Sequence, residues 1–95
     1  SKGEDKKMDD GLIYVGSKPL ENYIKAITTQ LNITNEVKVI TKKFNILTAI
    51  DAVEEVKKDF PNLQVETIIG SDYDISYDKR IRRRYSMITI ILKKN

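Results

Sequence analysis

The densest chemistry in the chain lies in Lys79-Arg80-Ile81-Arg82-Arg83-Arg84. Arginine's planar guanidinium offers paired N–H donors that match the oxygens of a phosphate, and it stays charged at physiological pH. Four arginines within residues 80–84, with no acid among them, suit the capture of a polyanion by counterion release. Three further cations extend the pattern. Lys18 stands just before a helix start, where a cation opposes the helix dipole but the free amides attract anions. Lys42 and Lys43 follow a β-branched strand and precede Phe44, whose ring is a candidate for stacking on an unpaired base or for packing under its loop. Asp72, Asp74 and Asp78 lie on the other side of the same hairpin; they suit pairing with the arginines better than holding a cation.

The residue types that are missing narrow the chemistry. The 95 residues include no cysteine and no histidine. Disulfide, thiol and imidazole chemistry are thereby excluded, along with the commonest metal ligand. No glycine-rich phosphate loop and no paired-carboxylate site stands out, so the expectation is a non-enzyme with no cofactor, metal or small-molecule substrate. No apolar run approaches the ~20 residues of a membrane helix, and the charged N-terminus does not read as a signal peptide. A cytoplasmic protein without a membrane partner is the expectation. Net charge is only +3, but residues 79–95 hold seven basic residues and no acid. Positive charge is thus gathered at one end of the chain.

These residues need a platform. Residues 1–11 contain one apolar side chain, Met8, and mixed charges, and are read as a disordered tail. The remainder, 12–95, is read as one domain. Leu12 to Gly16 reads as a short strand. Pro19 suits the first turn of a helix in which Leu20, Ile24, Ile27 and Leu31 recur at helical spacing, predicting a helix over 19–31. Tyr23 reads as a half-buried residue of that helix. Glu36 to Thr41 alternates as a strand. Asn45 suits an N-cap for a second helix with its stripe at Ile46, Ala49, Ile50, Val53, Val56 and Phe60, stopped by Pro61. Leu63 to Ile69 alternates again, Gly70-Ser71-Asp72 opens a long hairpin tip, and Tyr85 to Leu92 returns. Apolar residues on both faces of that last strand point to a central position in the sheet or to burial at an interface. The order β-α-β-α-β-β, with right-handed crossovers, predicts an α/β (α+β) two-layer sandwich with both helices on one sheet face. A long hairpin arm joins its third and fourth strands.

Several segments together resemble the Alba family of archaeal chromatin proteins. They are Gly16-Ser17-Lys18-Pro19-Leu20, Asn22-Tyr23, Thr29-Gln30-Leu31-Asn32, Ala49-Ile50-Asp51-Ala52-Val53-Glu54, Phe60, Gly70-Ser71 and Ser86-Met87-Ile88-Thr89-Ile90. No one of these is specific; their order and spacing from about Leu12 to Lys94 carry the match. The resemblance implies a fold similar to the C-terminal domain of translation initiation factor three. It implies a homodimer, or a heterodimer with a paralogue, whose two arms reach along the minor groove. It also implies chromosome-associated, sequence-tolerant binding of duplex DNA, and often of RNA. Lys18, Lys42 and Lys43 would line the dimer's central surface, Arg80, Arg82, Arg83 and Arg84 would arm the hairpin, and Phe60 becomes a candidate for dimer–dimer contact.

Three departures from the family pattern matter. Ser17 replaces the first lysine of the usual pair, which puts control by lysine acetylation in question. The loop that usually reads Arg-Gly-Arg is Lys42-Lys43-Phe44, so charge is kept while an aromatic ring arrives. The arm is more basic than is usual and one residue longer. Phe44 favours an alternative in the same superfamily: an RNA-binding protein, acting in a ribonucleoprotein or as a chaperone, with little role on DNA.

Overall fold

The computed structural model describes residues 11–75, 78 and 82–95. Residues 1–10 of the proposed tail over 1–11, together with Ser76, Tyr77, Lys79, Arg80 and Ile81, lie outside the described residues. In chain order the elements are β1 (Leu12–Val15), α1 (Leu20–Ile33), β2 (Glu36–Lys42), a 3₁₀ turn (Lys43–Asn45), α2 (Ile46–Asp59), β3 (Gln64–Ile75) and β4 (Arg82–Lys93). The sheet order is β1-β2-β4-β3, so β4 is internal as its two apolar faces predict. β1 runs parallel to β2; the other two pairings are antiparallel.

Register assigns every strand residue to a face. Val37 lies opposite Leu92, Val39 opposite Ile90 and Thr41 opposite Ile88, and β1 adds Val15 beside Thr41. All of these are buried, together with Tyr23, Ile27 and Leu31 of α1 and Ala49, Ala52, Val53 and Val56 of α2. Both helices therefore pack on this one face, hereafter the helix side. Fully burying a side chain such as Ile27, Leu31 or Leu92 is worth about 1.5–3 kcal/mol, and these three are the largest apolar groups with no exposure at all. Gly11 begins the parallel ladder: its carbonyl accepts from Lys38 N–H at 2.7 Å. With φ +73° and a Cβ that would sit 2.8 Å from Glu36 O, that position suits glycine on two counts.

Several local expectations change. β1 stops at Val15, one residue before Gly16, and Pro19 occupies the cap position ahead of α1, which runs on to Ile33. Asn45 makes no capping hydrogen bond: the 3₁₀ turn puts it in the helical region, so its side chain is not aimed at the first free amides. Ile50 is exposed, since the buried stripe of α2 runs through Ala49, Ala52, Val53 and Val56. Most consequential is the length of the last two strands. Gly70, Ser71 and Asp72 lie inside β3, and Arg82, Arg83 and Arg84 lie inside β4. The pairing holds one register from Gln64 opposite Lys93 to Ile75 opposite Arg82. The backbone hydrogen bonds of this ladder override the weak strand propensity of glycine and aspartate, so residues 70–75 and 82–84, read from the sequence as part of the tip, form a regular two-stranded ribbon.

Candidate nucleic-acid interface

The same register gathers the cationic segments. Val15 pairs with Thr41, Thr41 with Ile88, and Lys42 with Met87. The turn after β1 with Lys18, the turn after β2 with Lys42, Lys43 and Phe44, and the root of the arm consequently share one end of the sheet. At the opposite end, Glu36 pairs with Lys93 and Lys93 with Gln64. Phe60 belongs there: half-buried, it packs against the core and lines a surface hollow with Leu63 and Lys94.

Each turn is held by a specific device. Tyr23, 6% exposed, sends its hydroxyl back under the first turn, where it accepts hydrogen bonds from Gly16 N–H and Lys18 N–H, both at 2.9 Å. The ring contributes to the core while its polar tip fixes the loop, which leaves the Lys18 side chain free to project into solvent. In the second turn Lys43 adopts φ +58°, the left-handed region. A lysine there carries roughly 1–2 kcal/mol of steric cost. The turn sets Phe44 almost fully in solvent, 96% exposed, so packing under the loop is not its role. Lys43 Nζ donates to Asp74 Oδ2 at 2.5 Å and so ties the turn to the arm. The Lys42 and Lys43 ammonium groups also stand 4.9 and 4.7 Å from the centre of the Tyr85 ring, within the range of cation–π attraction.

Because Arg82–Arg84 form a strand, alternation divides them. Arg82 and Arg84 point to the helix side, where the Arg82 guanidinium lies 4.7 Å from the centre of the Tyr73 ring. Arg83 points to the open side, opposite Asp74 and near Asp72 and Tyr85. The Asp74 carboxyl is held below the usual carboxylate range. The hydrogen bond from Lys43 is the main cause, and the charges of Lys43, Lys42 and Arg83 add to it against some desolvation. Asp74 thus takes up cationic charge on the open side, while the β3 and β4 neighbours that register sets beside Arg82 and Arg84 on the helix side are Ser71, Tyr73 and Ser86. Sequence reasoning missed Tyr73 and Tyr85, and it read Tyr23 as a half-buried helix residue without its clamping hydroxyl. Extending the period-2 pattern through the arm places Tyr73 and Tyr85 on opposite faces; Tyr23's hydroxyl bonds leave no trace in periodicity. Among the described residues no group of three or more acids could hold a metal, and no helix is long and apolar enough to cross a membrane.

With this geometry in view, comparison with known proteins gives a family. The chain belongs to the Alba family, whose model matches residues 12–71. The DNA/RNA-binding protein Alba of Methanococcus maripaludis is 37% identical over 89 residues, covering 90% of this chain and 99% of that protein. The DNA/RNA-binding protein Alba of Nanoarchaeum equitans is 38% identical over 83 residues, covering 85% of this chain and 92% of that one. Among solved structures, Alba from Thermoplasma volcanium superposes with a TM-score of 0.78 at 28% identity, covering 87% of this chain and 99% of its own. ALBA1 from Trypanosoma brucei shares the fold, with a TM-score of 0.64 over 88% of this chain and 68% of its own, at 21% identity.

Proposed function

We propose that residues 12–95 form a nucleic-acid-binding domain that acts as a dimer on double-stranded DNA. The binding has little sequence preference, serves a chromatin or architectural role on the chromosome in the cytoplasm, and extends to RNA. The observation that carries this reading is the convergence of three cationic segments on one end of the sheet, in a family whose curated relatives are named for DNA and RNA binding. Lys18, Lys42 and Lys43 contact backbone phosphates near the centre of the footprint. Arg82, Arg83 and Arg84, with Arg80 beyond the described residues, extend it along a groove. Such contacts read shape and charge rather than base edges.

The dimer reading rests on apolar surface that one chain leaves open. On the helix side of β3, Val65 and Ile69 lie opposite the buried Leu92 and Ile88, yet they stay exposed, Ile69 at 79%. Leu47 and Ile50 on α2 are exposed as well. Large apolar side chains rimmed by charge are what a second copy, or a paralogue, would cover. Phe60, at the far end, is available for contact between dimers. A second reading, an RNA-directed protein with little role on DNA, is favoured by the solvent-facing Phe44 ring.

The test is a salt-titrated binding comparison of duplex DNA and duplex RNA, run with a mass measurement of the free protein. Expected are a dimeric mass, a steep fall of log K with log salt on both duplexes, and dissociation to monomers in Ile69→Asp with at least about a tenfold loss of affinity. A monomeric parent, or affinity indifferent to salt, overturns the proposal. Strong preference for RNA, lost in Phe44→Ala, moves it to the second reading.

A further inference from the structure

The face of the sheet opposite the helices has no covering element among the described residues. Register lays one row straight across it: Tyr14 on β1, Ile40 on β2, Thr89 on β4 and Ile68 on β3. Beside that row a cleft of about 260 Å³ opens, lined by Tyr14, Ile40, Lys42, Tyr85 and Met87. Its floor is apolar, one wall is the Tyr14 ring at 68% exposure, and its rim is the Lys42 ammonium, leaning over Tyr85.

We infer that this cleft holds one unpaired nucleobase of a single strand, stacked on Tyr14, with the adjoining phosphate on Lys42. Three features select this occupant. The volume falls just below the ~300 Å³ at which sites for drug-sized ligands begin, a size suited to a base and too small for a duplex edge. An exposed aromatic ring over an apolar floor gives a sequence-tolerant stacking platform, worth about 1–3 kcal/mol per base. The cation beside that ring supplies the charge a nucleotide's phosphate requires, and no acid lines the cleft. The apolar surface assigned above to the dimer lies on the helix side, so pairing of two chains leaves this face open. The inference rests on the nucleic-acid reading but adds a second site to it: duplexes engage the end of the sheet and the arm, single strands also engage the open face.

The experiment compares labelled oligouridine and a labelled DNA duplex of equal charge, bound to the parent, Tyr14→Ala and Tyr14→Phe, with melting curves for each. Tyr14→Ala is expected to lose about tenfold on oligouridine, the equivalent of ~1.4 kcal/mol, and to stay within about twofold on the duplex. Tyr14→Phe, which keeps the ring, retains parental affinity for both. Photocrosslinking of 4-thiouridine-substituted oligouridine to the parent gives an independent readout, with adducts expected at Tyr14, Tyr85 or Met87. Equal loss on both probes, no loss on either, or adducts confined to residues outside the cleft overturn the inference while leaving duplex binding in place. A parent that binds neither probe overturns the inference together with the reading beneath it.

Discussion

On the helix side of the β3–β4 arm, Arg82 and Arg84 share their surface with Ser71, Tyr73 and Ser86. On the open side, Arg83 shares its surface with Asp72, Asp74, Tyr85 and the bridging Lys43 ammonium. Three consecutive arginines therefore meet two electrostatic environments, because a strand sends alternate side chains to opposite faces. Along the two strands the helix-side pair has polar and aromatic neighbours, whereas the open-side arginine sits in a field that Asp72 and Asp74 offset. Charge counted along a sequence overstates what one surface can deliver. The arm is better described as one cationic face and one nearly balanced face than as a uniformly basic finger.

That contrast can be broken directly. Replacing Arg82 and Arg84 together with alanine should lower duplex affinity by about tenfold or more at moderate salt and reduce the log–log salt slope by about 2 units. Arg83→Ala should cost about twofold or less, because exposed charges near opposite charges contribute little. A salt-titrated anisotropy series over these variants checks both. Equal losses for the pair and for Arg83 alone, per residue, would erase the distinction between the faces.

The balanced face can be sharpened from its acidic side. Asp74→Asn should release Lys43 and raise duplex affinity about two- to threefold, with a salt slope steeper by about 0.9. The same link makes stability depend on pH. Because the folded Asp74 carboxyl titrates below its ordinary value, its stabilising contribution is fully present above about pH 4 and is lost as pH falls through the lower folded value. Melting temperatures of the parent and Asp74→Asn, measured from neutrality down into that range, should converge at the acid end. Parallel curves throughout would remove the link from the account.

A separate effect, on stability alone, concerns the turn that sets Lys43 beside Asp74. At φ +58° a side chain is strained, so Lys43→Gly should be more stable than Lys43→Ala by about 1 kcal/mol, the reverse of the usual order. Both lose the ion pair, and only glycine loses the steric cost. Denaturant unfolding of the two variants measures the difference.

Much of this architecture was legible in the residue order. The helical stripes through Ile27 and Leu31 and through Ala49, Val53 and Val56, the alternation of Val37 and Val39, and the doubly apolar β4 encode the two layers, because burial periodicity is a local property of the backbone. The segments from Gly16 to Ile90 that resemble the Alba family carried the identification before any fold was in view. The arm's ends were not legible: Gly70, Asp72 and Asp74 are poor strand residues, and only pairing with β4 decides that they extend.

By itself, then, the sequence determined the kind of charge, its concentration late in the chain, the order of the elements and the absence of imidazole and thiol chemistry. Tertiary structure alone decided which cations stand together, which arginine lies opposite Asp74, why Tyr23 is a clamp, and that Tyr14, Tyr85 and Met87 share a cleft. These are relations between strands set by hydrogen-bond register. Shifting one strand by a single residue would send each of its side chains to the other face while leaving the order of residues unchanged.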